Sequence, residues 1–465
     1  MAYFVEVCEV KDLENDVRYQ KMTEAPVWKT ILELSVPNTL GLLVIAAYSL
    51  ADSFFVSELG TQAGAAIGVV FPLPVLIQAV GYTLGLGAGS RLSRALGKRD
   101  RATASRLSAS AIVWSLILGC GISALGLWQE EPLLHLFGAS AEIIDTARAY
   151  LTPLLWATPM MCLSFVLSQL LRAEGLATYS MIGLAAGSIC NIILDPILIS
   201  RVGMGIAGAS TATLVSQILS AIILLSAYVF HKSHLRPFSH LGIKSFLLFG
   251  KIFVTGLPSL FRQGLSGLAT ILINHAAKEY SSAAVLALSL VARVFLLVFS
   301  LCLGIGQGMM PVVGYSHGAG NEKRQKDAYR FAVRLSSVAM LVISIPLIIW
   351  APEVISLFRD DSEVIQIGAF ALRAQCAILF THGLVTCTIL YLQAIGRAFL
   401  GAVLAAARQG IFFLPLIFLL PMHFGLLGLC IAQPAADAVT FLFAWVIRKI
   451  KIKKQVTKAT CLNVS

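Results

Sequence analysis

The chain carries acids where charge is costly. Asp52 lies in "AAYSLADSFFV" and Asp195 in "NIILDPILIS", each inside a run apolar enough to be buried in lipid. Tyr48 precedes Asp52 by four residues and Asn191 precedes Asp195 by four, so each pair shares one helix face. An aspartate at the centre of a membrane helix costs about 2.5–3.5 kcal/mol on insertion scales, which makes an intramembrane acid a functional-site hypothesis by default. With Thr213 in "GASTATLV", these residues offer two carboxylates, an amide oxygen and a hydroxyl, hard oxygen ligands suited to an alkali cation. Paired acids in a low dielectric also push one pKa up, so the same group can take up and release a proton. Sodium and proton both stay open. The structural alternatives are that Asp195 caps its helix end beside Pro196, that Asp52 snorkels to the outer surface, and that Thr213 bonds back to its own helix.

The elements that must hold these residues follow from composition. Of 465 residues, 57% are hydrophobic and 13% charged, against about 25% charged in soluble domains. A membrane helix needs about 20 apolar residues, and twelve such runs recur: 32–56, 64–90, 106–128, 147–171, 178–200, 206–230, 250–275, 283–314, 330–352, 368–392, 400–421 and 425–447. The pattern predicts an all-α polytopic membrane protein with twelve transmembrane helices.

Its net charge of +11 is distributed in a way that reports orientation. Arg91, Arg94, Lys98, Arg99 and Arg101 follow span two, Lys232, Arg236 and Lys244 follow span six, and Lys323, Arg324, Lys326 and Arg330 follow span eight. The tail adds Arg448, Lys449, Lys451, Lys453 and Lys454, while the opposite loops hold Glu130, Glu131, Glu142, Asp145, Asp360, Asp361 and Glu363. Both termini are therefore expected in the cytoplasm, and the basic residues face lipid headgroups rather than nucleic acid. The first 31 residues mix charges of both signs and lack a signal-peptide core. The cysteines form no CxxC pair and imply neither a disulfide framework nor a zinc site.

The chain repeats itself at an offset of about 220 residues. "LSVPNTLGLL" matches "TGLPSLFRQG", pairing Pro37 with Pro258; "LGLGAG" matches "LGIGQG", "RAEGLA" matches "QAIGRA", and "GIAGAS" matches "GLLGLC". Six spans per repeat make the two copies parallel, related by an axis along the membrane normal. The expected organisation is a cytoplasmic segment 1–31, a bundle 32–230, a linker 231–249, a second bundle 250–447 and a basic tail 448–465. Two pseudo-symmetric six-helix bundles enclose a cleft that rocking exposes to either side.

Depth brings the polar residues together. Spans one and five run outward and carry their aspartates roughly 7–8 Å from the outer end, while span six starts there and places Thr213 roughly 10 Å in, at about 1.5 Å per residue. In the second copy Asp52 falls opposite Ile273, beside Asn274, and the stretch opposite Asp195, "FFLPLIF", holds no acid, so cation coupling is expected in the first bundle alone. The second copy instead offers Arg262, Gln263, Asn274, Arg293 and Gln307 as lining for a substrate cleft. There is no HExxH and no phosphate-cradling Gly-x-x-x-x-Gly-Lys-Ser/Thr, which excludes a zincin and an ATP-driven pump working from this chain alone.

The stretches "SLADSFF", "RAEGLATYSMIGLAAGSICNIILDPILI" and "GMGIAGASTAT", on the doubled six-span plan, resemble the multidrug and toxic compound extrusion (MATE) family, with the DinF-like prokaryotic branch nearest. The resemblance runs from about Pro26 to Arg448 and implies the MATE fold and a cation-coupled antiporter of the plasma (inner) membrane, exporting amphipathic, often cationic, drug-like compounds. It implies a sodium or proton site at Asp52, Asn191, Asp195 and Thr213, with Tyr48 beside it and Pro37 at a bend in helix one. No cofactor beyond the coupling ion is expected, and one chain suffices for the two-bundle design, so the working unit is a monomer. A lipid-linked saccharide flippase of the same superfamily is the alternative within transport, and an ion-gated receptor or channel the alternative outside it.

Overall fold

A computed structural model of the chain describes residues 17–57, 59, 61–139, 143–230, 232–233, 235–240 and 242–462, with the side chains at 49–57, 61 and 450–462 outside the described set. Among the described residues all regular elements are helical. The spanning helices are α1 (Val27–Ser57), α2 (Pro72–Gly97, preceded by a short helix Thr61–Val70), α3 (Arg101–Trp128), α4 (Ile144–Ala173), α5 (Ala177–Pro196), α6 (Ile206–Val229), α7 (Phe249–Lys278), α8 (Ser282–Gly318) and α9 (Glu322–Ile349). The expected single span 368–392 is a bent pair, α10, made of Ser362–Ala377 and Thr381–Ala394 at 59°. The bend is closed by short bonds such as Thr381 N–H to Ile378 O at 2.9 Å and His382 N–H to Leu379 O at 3.1 Å. The stretch Ala398–Lys449 has 52 residues, more than twice what one crossing takes at about 1.5 Å per residue. It breaks at Gly425, whose φ of 56° and ψ of −137° are not helical. Its two arms are α11 (398–424) and α12 (426–462). Among the described residues ten helices qualify as spans on length and apolarity, eleven with the bent pair; counting the two arms at Gly425 separately gives twelve, the number that hydropathy implies.

Several helices outrun their apolar windows. Arg91 and Arg94 still belong to α2, and α9 begins at Glu322 rather than near 330. Hydropathy marks only the part of a helix in lipid, whereas a capped helix continues into water. Asp100 accepts the Thr103 N–H at 2.9 Å at the start of α3, and Asn321 accepts the Arg324 N–H at 3.0 Å at the start of α9. These caps are repeat partners. So are three pairs of left-handed positions: Arg99 and Gly320 (φ 60° and 75°), Gly175 and Gly396 (90° and 84°), and Gly205 and Gly425 (57° and 56°). The doubled sequence folds into doubled backbone.

Leu125, Ile193, Ile222 and Leu442 are each more than half exposed, an outer surface that water would not tolerate at this density and lipid does. Between the halves, by contrast, the helices nearly touch along their backbones. A Cβ on Gly256 of α7 would overlap the Thr83 carbonyl of α2, and one on Gly87 of α2 would press on Gly256 in return. Gly304 and Gly308 of α8 face Thr39 and Ser35 of α1, while Gly314 faces Ser93. Small residues permit such approach. Polar bonds cross the same seam: Ser90 Oγ donates to Gln393 O (2.6 Å) and Arg91 Nε to Thr255 Oγ1 (2.7 Å), and within the second half Gln393 Nε2 donates to Thr255 O (3.0 Å), linking the two acceptors. These contacts sit at the end that carries the basic loops.

The segment before α1 packs on that end too. Met22 is 1% exposed, and Arg324 Nε donates to Met22 O at 2.9 Å and Nη1 to Ala25 O at 2.5 Å, tying α9 to the N-terminal segment. Glu174, just past α4, accepts from Tyr228 (3.1 Å) and Ser233 (2.6 Å), and burial pushes its carboxyl up to about 7.

Replacing Gly256 by Leu wedges α2 and α7 apart. Overpacking of this kind costs about 1–3 kcal/mol, so Gly256→Leu should lower the thermal midpoint of the purified protein, whereas Gly68→Ala, with nothing within 4 Å of the added carbon, should not. Equal midpoints for both would contradict the seam.

Candidate coupling-cation site

The helix that carries Asp195 does not stop at Pro196. It widens into a π turn, Ile197–Arg201, in which the Val202 N–H donates to Ile197 O at 2.9 Å. Proline supplies no N–H, and a wide turn absorbs the missing bond; such turns gather at functional sites. Gly205 then reverses the chain. Gly208 lets α6 start directly against α5, since a Cβ there would lie 2.8 Å from the Leu198 backbone. Asn191, Asp195 and Thr213 meet because of this close start.

Asp195 is 0% exposed, Asn191 1% and Thr213 7%. Oriented by its hydrogen bonds, the Asn191 amide donates to Asp195 Oδ2 (3.2 Å), and its oxygen accepts the Thr213 N–H (3.2 Å). Thr213 Oγ1 does bond back to its own helix, donating to Ala209 O at 3.2 Å, which leaves its oxygen lone pairs available. The expected cluster is thus brought together from α5 and α6. Tyr48 joins it from α1: Tyr48, Asn191 and Thr213 line one cavity with Ile45, Phe165 and Ser188. The Asp52 side chain lies outside the described residues. Pro37 falls inside α1, between Ser35 and Thr39, the residues that meet α8 across the seam.

The second-half candidates scatter. Gln263 and Asn274 are partly buried and share a face of α7 with Gly267 and Thr270, at helical spacing. Gln263 Nε2 donates to Gln78 Oε1 of α2 at 2.9 Å, and Arg262 Nη1 donates to Gln263 Oε1 at 3.1 Å. Gln307 is 2% exposed and bonds to Arg172 of α4, so it belongs to the seam between the halves. Arg293 is exposed.

The stretch "FFLPLIF" holds no acid, but a buried acid does lie elsewhere in the second half. Asp437 of α12 is 2% exposed. Arg408 Nε (2.8 Å) and Gln433 Nε2 (3.1 Å) donate to its Oδ1, Gln375 Nε2 (3.0 Å) donates to Oδ2, and His382 Nε2 lies 3.3 Å from Oδ2. Phe295 and Phe299 lie under the Arg408 guanidinium, at 5.5 and 5.2 Å. Arg408 itself sits in a π turn, Ala407–Ile411. Looking only opposite the first-half aspartates hid this network. Asp437 stands inside the apolar run 425–447, and the rule that singles out Asp52 and Asp195 singles it out as well. Chemically the two acids differ. Asp437 already has a cation in Arg408 and three further polar nitrogens around it, whereas the neighbours described for Asp195 in α5 and α6 are the Asn191 amide and Thr213.

Breaking a buried ion pair from one side costs about 3–5 kcal/mol. Arg408→Leu should therefore lower the thermal midpoint sharply, and adding Asp437→Leu should recover most of the loss. An Arg408→Leu protein as stable as wild type would contradict the closed pair.

Comparison with known proteins follows the same outline. The MatE family model matches residues 37–197 and 258–419, once in each half. The chain is 26% identical to the multidrug export protein MepA of Staphylococcus haemolyticus over 444 residues, 95% of this chain and 98% of that one. Among solved structures, MATE in complex with MaL6 superposes with a TM-score of 0.88 at 26% identity, covering 94% of this chain and 98% of the other. An outward-facing MATE family multidrug resistance transporter of the MOP superfamily gives 0.86 at 26%, with the same coverage.

Proposed function

The chain belongs to the MatE family, a multi-pass membrane secondary transporter and no enzyme, and on that premise we propose that it exports amphipathic, cationic organic compounds in exchange for sodium or protons. The observation that carries the coupling is the Asn191–Asp195–Thr213 cluster, buried beside a cavity that α1 helps to line. An ionised Asp195 in a low dielectric favours any cation that neutralises it, and the neighbouring amide and hydroxyl oxygens suit a dehydrated sodium ion or a bound proton equally.

Occupancy of this site changes what α1 gains by approaching α5 and α6. Tyr48 and Ile45 line the cavity from α1, so bending α1 at Pro37 toward a neutralised Asp195 shrinks the space open to a lipophilic guest. The guest leaves as the cation arrives. The distribution of Lys and Arg supports a cytoplasmic side for the basic loops and both termini in a plasma-membrane protein. In that orientation the glycine seam closes the cytoplasmic side, and the cation site communicates with the outside. Bundles 32–230 and 250–447, joined by 231–249, are the two bodies that rock. One chain supplies both bundles, and we take the working unit to be a monomer.

Purified protein in liposomes, with ethidium as cargo and imposed sodium or pH gradients, tests this reading. Wild type should move ethidium under at least one gradient, and Asp195→Asn, inserted to the same extent, should fall to the level of protein-free liposomes. Gradient-independent flux in wild type, or undiminished driven flux in Asp195→Asn, would overturn it.

A further inference from the structure

Arg262 is a buried charge of the second half that neither the cation site nor the Arg408–Asp437 pair uses. It lies 13 residues into α7, about 20 Å from the helix start at about 1.5 Å per residue, and so near the middle of the membrane. Its side chain is nine-tenths buried. Nη1 donates to Gln263 Oε1, while Nη2 has no hydrogen-bond partner, and no carboxylate lies within ion-pair distance of the guanidinium among the described residues. Nearby charge makes matters worse: Arg408 lies within electrostatic range, and its own positive charge is already committed to Asp437.

An uncompensated guanidinium inside a membrane protein is strongly unfavourable unless an anion completes it. Neighbouring groups fix where such an anion would sit. Below Arg262, one and a half turns toward the basic end, Gly256 and Thr83 close the seam backbone to backbone. Past Arg262 in the other direction, Gln263, Gly267, Thr270 and Asn274 continue the Gly256 face of α7 as a partly exposed polar stripe beyond that closure. Gln263 is held by Gln78 of the opposite half, so the Gln263 carbonyl that steadies Arg262 is itself fixed. A planar fork of N–H groups with one nitrogen unused matches a carboxylate, which takes two parallel bonds from such a fork.

We propose that Arg262, steadied by Gln263 and Gln78, is an anion subsite between the two bundles that receives the carboxylate of an amphipathic organic cargo. The export reading above is the premise. What Arg262 adds is that cargo bearing both a cation and a carboxylate is preferred over the same skeleton with its acid masked. The arginine then gains its counter-charge only while cargo is bound, which ties the energy of this site to loading.

Rhodamine B and rhodamine 6G serve as probes, since both are cationic xanthenes of similar size and only rhodamine B carries a free carboxylate. Binding is followed by fluorescence polarisation on the purified full-length protein, and flux in liposomes. Wild type should bind both and prefer rhodamine B. Arg262→Gln should weaken rhodamine B about tenfold or more, leaving rhodamine 6G within about twofold, the size expected for one lost charge-assisted bidentate contact. Arg262→Lys keeps the charge without the fork and guards against a folding defect in the glutamine variant; it should fall between the two. Wild type that binds rhodamine 6G but not rhodamine B, or variants that lose both dyes equally, would overturn the subsite and leave the export reading standing. Wild type that neither binds nor moves either dye would remove both.

Discussion

Water is absent from the hydrocarbon layer, so an ionised side chain there must find its solvation in other side chains, in a bound ion or in cargo. The two halves of this chain answer that demand in different ways. Around Asp437 the protein supplies everything: a guanidinium at 2.8 Å, two amide donors and an imidazole, with aromatic rings beneath the arginine. Around Asp195 the α5 and α6 neighbours are an amide and a threonine, ligands rather than counter-charges. A helix that brings its own cation has no need of one from solution. On the proposed reading coupling belongs to the first bundle even though both bundles bury an acid, and Arg262 poses the same demand with the opposite sign.

Close packing supplies the second constraint. Solvating groups can be aimed only if the helices that carry them are held at fixed distances, and in lipid those distances are set by small residues. Gly208 sets α6 against α5 and so sets Thr213 against Asn191; Gly256 and Gly87 set α7 against α2 and so hold Gln263 against Gln78. The paired left-handed positions near residues 99, 175 and 205 and their partners 320, 396 and 425 reproduce this scaffold in each half. The backbone is duplicated, and the polar side chains mounted on it are not.

Much of this is legible in the residue string because two strong signals survive without tertiary context. Apolar runs report helices in lipid, and a four-residue spacing combined with depth brings Asn191, Asp195 and Thr213 together before any coordinates. Other features have no such signature. The break in α10 falls in "QCAILFTHG", without proline and with its glycine only after the bend, because it is held by short-range bonds at residues 376–382. Gln307 reads as a cleft residue because hydropathy cannot tell an interface between bundles from a cavity. Asp437 was legible in principle. Its repeat partner is Gln217, so a comparison that asks only where the first-half acids recur passes over it.

On the proposed reading, occupancy of the Asp195 site sets the relative position of the two bundles. Leu136 and Leu357, 79% and 83% exposed on equivalent loops at the end away from the seam, are suited to spin labels. Double electron–electron resonance between them, in lipid nanodiscs with sodium or pH varied, measures that position directly. The account predicts that the distance distribution shifts with sodium or with pH in the wild-type background and is frozen by Asp195→Asn. A shift of the same size in Asp195→Asn, or a distribution indifferent to both ions in wild type, would contradict it.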